Sequence, residues 1–414
     1  MKEILFLSHR IPYPPDKGDK IRSWNLLLGL SSRYLVHLAT FVDDPADMRY
    51  QDVLRRTCGA VLLRRVRPQR AKLRGLFAML GGSALTMGYY NDRVLRQWVD
   101  QLAAERPLLG VFAYSSSMAQ YAVGLRLEGG GGRIADFCDV DSDKWRQYSA
   151  SSGWPLSGLY GREARLLQAE ERKFAMQFDA TLVVSSIERD LLCRIAPEAV
   201  GRIRVVGNGV DTQYYDPVGI WDNPFPKDSQ PVVFTGAMDY HPNVDGVVWF
   251  ANEVLPVVRK NCPSALFAIV GSNPESAVRS LAARPGIVVT GRVPDVRPYL
   301  AHAQVTVAPL RIARGVQNKV LEALAMGRNV VATENAVQGI PSATEAGVIV
   351  ASSASDFAEA VISRIGSTSV SNLGRNFVLQ RFGWPRQVSE ISSLLEGEQS
   401  SASCQNAHKQ SAPT

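Results

Sequence analysis

Two doubly wound α/β domains in tandem are the fold this sequence predicts, on three observations. Apolar runs of strand length alternate with amphipathic stretches of helix length along nearly the whole chain, the pattern of βαβ units and parallel sheets. The alternation breaks once, at 211–230. The chain is 414 residues long, whereas a single core stops growing at roughly 250–300.

Taken in order, ILFLS, VHLATFV, AVLLRRV, GVFAYS, RIADFCD, ATLVVS and IRVVGNG read as the strands of the first half. PVVFTGAM, ALFAIVG, IVVTG, VTVAPL, NVVAT and GVIVA read as those of the second. Helix-period stretches lie between them, among them SWNLLLGLSSR, GREARLLQAEERKFAMQF, VDGVVWFANEVLPVVRK and KVLEALAM. The interruption DTQYYDPVGIWDNPFPKDSQ carries four aromatics and three prolines without periodicity. It reads as a linker at 211–230 between a first domain, 1–210, and a second, 231–380. Residues 397–414 are polar and poor in apolar side chains, a composition expected to stay disordered.

Hydrophobic content of 46% and charged content of 21% are those of a soluble globular enzyme. The five cysteines are scattered and form no CxxC pair, which argues for a reducing compartment and against a disulfide frame or zinc cluster. The start, MKEILFLSHR, has too short an apolar run for a signal peptide, and no run reaches membrane-span length. A cytoplasmic protein is expected. The net charge of +7 is concentrated in LLRRVRPQRAKLRGLFAML, at Arg64, Arg65, Arg67, Arg70, Lys72 and Arg74. The stretch fits either an anionic membrane surface, met by residues 64–79, or a solvated helix face. No nucleic-acid-binding pattern accompanies the charge, so nucleic acid is not expected as a partner.

Ligands of doubly wound sheets bind at the carboxyl ends of strands, which directs attention to five loops. HRIPYPPDKGDKIRSWN follows the first strand and brings His9, Gly18, Asp19 and Lys20 to the start of a helix. A glycine there admits a ligand to the backbone, and a helix N-terminus favours an anion; a solvent loop with a turn glycine is the plainer reading. RIADFCDVDSDKW gathers Asp136, Asp139, Asp141 and Asp143 beside Lys144 and Arg146. Its spacing does not fit a calcium loop, and some of these carboxylates are expected to cap the next helix or pair with the bases. GNGVD (Gly207 to Asp211) and the glycine of VVFTGAMDYHPNVDG (Gly236) are weak signals alone. The fifth, VTVAPLRIARGVQNK, collects Arg311, Arg314 and Lys319 at a helix start. Bases there oppose the helix dipole unless an anion is bound, so a phosphate-type ligand is expected. The histidines show no paired-ligand spacing, and no metal site is expected.

In this order, the pieces resemble the retaining glycosyltransferases of family four. The resemblance runs to about residue 396 and rests on the Gly18 loop, NGVD from Asn208, Gly236, IVVTGRVPDVRPYLAHAQVTVAPL, KVLEALAMGRNVVAT and RFGWPRQVSEISSLLEG. HRIPYPPDKGDKIRSWN and DFCDVDSDKW further resemble the subgroup of the PEP-CTERM/exosortase exopolysaccharide system. The resemblance implies a GT-B fold, two Rossmann-like domains facing across a cleft, with a helix at 381–396 crossing back onto the first domain. It implies transfer of a sugar from a nucleoside diphosphate sugar, with retention, to a lipid-linked or growing polysaccharide acceptor, without metal or other cofactor. Glu322, in the Leu-Glu-Ala signature, would hold the nucleotide ribose, and Lys319 the diphosphate. Gly315, Val316 and Gln317 would face sugar or phosphates, and Arg292 and Val293 the base. His9, Asp19, Lys20, Asp139, Asp141 and Lys144 fall on the acceptor side, with Asp139 and Asp141 nearest the chemistry.

The chain departs from that family in two places. Arg314 stands eight residues before Glu322, where the family commonly has a second glutamate. Ala237 and Asn243 stand near the positions of an arginine and a lysine. Arg311, Arg314 and Lys319 are therefore expected to share the diphosphate. A sugar-nucleotide epimerase of the same fold, and a degenerate subunit that binds a sugar nucleotide without turnover, are the competing readings.

Overall fold

The computed structural model describes residues 1–15, 17–313, 315–366 and 372–397. The chain divides into two compact units, one made of Met1–Gly207 with the C-terminal stretch from Gln387, the other of Asn208–Arg386.

In the first unit, seven strands form one sheet: β1 (Glu3–Ser8), β2 (Leu35–Val42), β3 (Val61–Arg65), β4 (Leu108–Tyr114), β5 (Arg133–Cys138), β6 (Ala180–Val183) and β7 (Ile203–Val205). Their order is β3-β2-β1-β4-β5-β6-β7 and each neighbouring pair is parallel. Helices connect them and cover both faces, so the strands are continuously apolar instead of alternating: Ile4, Leu5, Phe6 and Leu7 are all fully buried. The chain winds outward from β1 through β2 to β3, then returns to place β4 on the other side of β1. The switch point therefore lies between β1 and β4.

The second unit repeats the plan with β8 (Gln230–Thr235), β9 (Ala265–Val270), β10 (Ile287–Gly291), β11 (Val305–Ala308), β12 (Val330–Ala332) and β13 (Ile349–Val350). Its order is β10-β9-β8-β11-β12-β13, again parallel throughout. Val232 of β8 stands between Phe267 of β9 and Val305 of β11. The switch point here lies between β8 and β11, where Gly236 and the 309–317 loop emerge.

The division of the chain differs from the sequence expectation. Contacts break at 207/208 and again at 386/387, while 211–230 belongs to the second unit. Arg375 Nη1 donates to the Tyr215 carbonyl at 2.8 Å, His302 Nε2 meets the Trp221 carbonyl at 2.8 Å, and the Phe225 ring lies edge-on to Tyr299. The aromatics that made the segment look irregular supply the area that holds it down.

Two sequence signatures turn out to pack on one another. Entering the second unit, the Val210 amide donates to the Phe382 carbonyl at 2.7 Å, and Val210 bridges Gly383. A Cβ on Gly209 would lie 2.5 Å from the Trp384 ring, so NGVD and RFGW are complementary surfaces. The helix Trp384–Leu395 then continues into the first unit's packing. Cβ atoms on Gly29 and Gly110 would meet Val388 at 2.4 Å and Leu395 at 2.8 Å, and the Gly132 amide donates to the Leu395 carbonyl at 2.9 Å.

The last residues of the first unit are tied down by a group the sequence did not single out. Arg22, from the helix Gly18–Ser31, is 2% exposed. It donates to Asp136 at 2.9 Å, to the Val206 carbonyl at 2.8 Å and to the Gly207 carbonyl at 2.9 Å. One guanidinium thus joins the first helix, β5 and the exit from β7. Removing one partner of a buried pair strands the other charge, at about 3–5 kcal/mol. Arg22→Ala should lower the unfolding free energy of the first unit by a corresponding amount, read from urea unfolding.

Candidate active site

The carboxyl end of β8 is shaped by two glycines. A Cβ on Gly271, at the end of β9, would lie 1.6 Å from the Gly236 carbonyl oxygen. The two strand ends therefore touch through bare backbone, which no larger residue permits. A Cβ on Gly236 would in turn lie 2.8 Å from Asn243 Nδ2 and 3.3 Å from Lys319 Nζ.

Across the switch point, the loop after β11 is clamped from β12 and its following turn. Thr333 Oγ1 donates to the Leu310 carbonyl at 2.6 Å and Asn335 Nδ2 to the Arg311 carbonyl at 2.7 Å. Gly315 adopts φ +65, and a Cβ on Gly339 would lie 2.2 Å from its carbonyl oxygen. A Cβ on Gly246 would lie 2.7 Å from the Pro309 carbonyl, so the helix His241–Trp249 presses on this loop as well. Gln317 has extended backbone and precedes the helix Asn318–Ala325, and Val316 packs against the core.

Lys319 and Glu322 leave that helix toward different partners. Lys319 Nζ donates to Asn243 Oδ1 at 2.5 Å and stands 4.4 Å from the Phe234 ring centre. Glu322 accepts a hydrogen bond from the Tyr215 hydroxyl. Desolvation pulls the Lys319 ammonium down to about 7, and the Glu322 charge recovers only part of the difference. Desolvation likewise pushes the Glu322 carboxyl up to about 7, against the Lys319 charge and the Tyr215 hydrogen bond. Each charge is costly as it stands, an arrangement typical of groups kept for a ligand.

Tyr215 and Arg375 escaped the sequence reading. Arg375 Nη1 donates to both the Ala325 carbonyl, at 2.7 Å, and the Tyr215 carbonyl. It closes the C-terminus of the Lys319 helix and fixes the aromatic that orients Glu322. The only sequence signal was the pair Tyr214-Tyr215 in a segment read as linker. Tyr214 donates to Asp295 at 3.1 Å, and Arg297 stacks over the Tyr214 ring at 3.9 Å. Close by in sequence, Arg292 is exposed after Gly291 at φ +70, and Val293 packs against the core.

Arg311 has a partner within the unit. Its guanidinium forks onto Asp245, Nε lying 2.9 Å from Oδ2 while Nη2 binds the other oxygen. A bidentate carboxylate satisfies the group that was expected to share the diphosphate. Arg314 lies outside the described residues. Asn208 is the half-buried first residue of the second unit.

In the first unit, Lys20 also has a partner: it is buried 2.6 Å from Asp47. Gly18 has nothing within 4 Å of a would-be Cβ, so packing within the unit does not demand glycine there. Asp19 lies 2.5 Å from Arg10 and 3.6 Å from His9, whose ring stacks on Tyr114. Burial alone would raise the Asp19 carboxyl, but the His9 hydrogen bond and the Arg10 charge hold it well below the usual range.

The four aspartates separate. Asp136 belongs to the Arg22 pair, Asp143 to Arg146 and Gln147, and Asp141 accepts from Ser116 Oγ at 2.9 Å. Asp139 and Lys144 are exposed. Glu188 and Glu171, on other helices, hold this turn through the Val140 amide at 2.8 Å and the Ser142 amide at 3.0 Å. Ser115 (φ +82) and Cys138 (φ +63) end the adjacent strands β4 and β5 in left-handed conformations, each costing about 1–3 kcal/mol. Nothing in AYSSSM or DFCDV announces them.

Residues 229–366, most of the second unit, match the family described as glycosyl transferases group 1. Among solved structures, the chain is similar to sucrose-phosphate synthase from Thermosynechococcus elongatus at 16% identity and TM-score 0.63, over 95% of this chain and 98% of that one. It is similar to a glycosyltransferase from Rickettsia africae at 11% identity and TM-score 0.63, over 97% and 100%. It is also similar to HepE of Anabaena, solved with UDP, at 14% identity and TM-score 0.62, over 96% and 100%. No curated protein matches the sequence. The fold is that of the GT-B glycosyltransferases, and it is within the second unit that the chain resembles their group 1 family.

The displaced titrations set a pH signature. A lysine lowered to about 7 destabilises the empty fold below its ordinary 10.5, fully so below 7; a glutamate raised to about 7 does so above 4.5, fully so above 7. At pH 7 both costs are present. The double variant Lys319→Met/Glu322→Gln should therefore melt above the wild type at pH 7 in calorimetry. The gain of Glu322→Gln alone should shrink toward pH 4.5, and that of Lys319→Met toward pH 10.5.

Proposed function

We propose that the protein is a retaining, metal-independent glycosyltransferase of family four that moves a sugar from a nucleoside diphosphate sugar to a lipid-linked or growing polysaccharide acceptor. The observation that carries this reading is the divergence of Lys319 and Glu322 at the carboxyl end of a parallel sheet. The Lys319 cation stands beside the N-terminal turns of two helices, and the Glu322 carboxylate a turn away is held by Tyr215. A nucleoside diphosphate offers what that pair lacks: anionic phosphates for Lys319 and ribose hydroxyls for Glu322. The group 1 match over 229–366 supports the same ligand class, as do the UDP and UDP-glucose bound by the similar HepE.

In this reading, Lys319 and the helix N-termini stabilise charge as it builds on the departing diphosphate. Glu322 fixes the ribose and so the position of the anomeric carbon. With retention, the leaving phosphate takes the acceptor's proton on the face it vacates, so Asp139 and Asp141 orient the acceptor without serving as base. The exopolysaccharide role and the PEP-CTERM/exosortase association rest on the loops HRIPYPPDKGDKIRSWN and DFCDVDSDKW. A second reading, a subunit that binds sugar nucleotides without turnover, is favoured by one observation: Arg311 is spent on Asp245.

The acceptor's setting is proposed to be an anionic membrane surface. Among the described residues no helix is long and apolar enough to cross a membrane. The helix Pro68–Leu80 leaves Leu73 and Phe77 exposed, and Arg65 and Arg67 beside it are exposed too. Arg64 and Arg74 instead face Asp92, at 3.0 and 3.6 Å; the side chains of Arg70 and Lys72 lie outside the described ones. The surface thus rests on fewer bases than the sequence suggested.

A panel of sugar nucleotides assayed against a lipid-diphosphate acceptor tests the enzyme reading. Lys319→Ala should lower kcat about 10²–10³-fold, as for loss of one preorganised donor; near-wild-type turnover would refute the role. Binding of a donor by the wild type without hydrolysis or transfer would favour the binding subunit. Arg65→Ser/Arg67→Ser/Phe77→Ser should lose co-sedimentation with phosphatidylglycerol vesicles, and unchanged binding would remove the membrane surface.

A further inference from the structure

The contact that holds Lys319 is made by a residue to which the fold gives no obvious task. Asn243 lies in the first turn of the helix His241–Trp249 and is 5% exposed. Its amide is used at both ends: Nδ2 donates to the Ala237 carbonyl at 2.8 Å, and Oδ1 accepts from Lys319 Nζ at 2.5 Å. The first bond fixes the second, because committing the NH2 group to Ala237 turns the oxygen toward Lys319. Gly236 makes room, since its Cβ would collide with Nδ2, and the Phe234 ring supports the ammonium from below at 4.4 Å.

We infer that Asn243 is a positioning residue for diphosphate recognition, a neutral tether that aims the Lys319 ammonium without cancelling its charge. This rests on the reading of Lys319 as the diphosphate cation and adds to it which group sets its direction. An amide oxygen accepts a hydrogen bond but carries no net charge, so the ammonium stays electrostatically available to an anion. A carboxylate in the same place would make an equally good hydrogen bond and neutralise the ion. Lysine is a flexible point charge, and here Lys319, beside a neutral Ala237, has to be aimed. The chemistry recognised is a diphosphate, not a base or sugar, so the effect is confined to the phosphate part of the ligand.

The experiment compares UDP with uridine, and GDP with guanosine, by competition or calorimetry on the full chain, with thermal melting as the check on folding. The wild type should prefer each diphosphate over its nucleoside. Asn243→Leu, similar in size and without polar atoms, should lower that preference about tenfold or more while leaving nucleoside affinity unchanged. Asn243→Asp keeps an acceptor for Lys319 and should lose the preference at least as strongly, because it pairs the charge. A tether of merely structural importance predicts the opposite for Asn243→Asp, behaviour like the wild type. If the wild type prefers diphosphates and both variants retain that preference, the inference falls and the functional reading stands. If the wild type shows no preference for either diphosphate, the reading of Lys319 falls and the inference with it.

Discussion

An ammonium taken out of water and met by a neutral amide is electrically incomplete, and the second unit is arranged around that incompleteness. Burial removes the hydration that normally holds a lysine charged at neutral pH. The nearest carboxylate, Glu322, is turned to Tyr215 instead of closing on Lys319. The glycines at 236, 271 and 246 bring strand ends, loop and helix close enough for the site to exist at all.

The first unit spends its charges differently. Lys20 with Asp47, Arg22 with Asp136, and Arg10 with Asp19 are used internally, so most of the charged residues crowding its strand ends hold loops in place. Also at those ends are the exposed Asp139 and Lys144, the Ser116–Asp141 contact and the strained Ser115 and Cys138. Strain of that kind persists where surrounding structure over-determines it, and the paired glutamates behind the 139–142 turn supply such a frame. The contrast sets a desolvated Lys319 in one unit against a set of internally paired charges in the other.

Much of this was legible in the sequence because parallel sheets write themselves plainly: strands buried on both faces are uninterrupted apolar runs, and β1, β4, β8 and β11 stand at their quoted runs. The loops beyond β1, β8 and β11 were found because Gly, Pro and charge cluster there for steric and electrostatic reasons. Pairings between distant segments were not legible. Arg22 reads as one base among several in HRIPYPPDKGDKIRSWN, and only the fold brings it to Asp136 and Gly207. Arg311 looked available because Asp245, 66 residues away, gave no sign of facing it. Tyr215 and Arg375 were hidden for the same reason. Asn243 was noticed only as a missing cation, whereas its two hydrogen bonds give it a positive role.

The central claim is that Lys319 is held desolvated and only partly compensated until a diphosphate completes it. The most direct test is an NMR titration of the Lys319 side chain, assigned through Lys319→Arg, with and without UDP. The account predicts a midpoint near 7 in the empty protein that moves upward by more than a unit when UDP is bound. A midpoint near the ordinary lysine value in the empty protein, or one that UDP leaves in place, would contradict it.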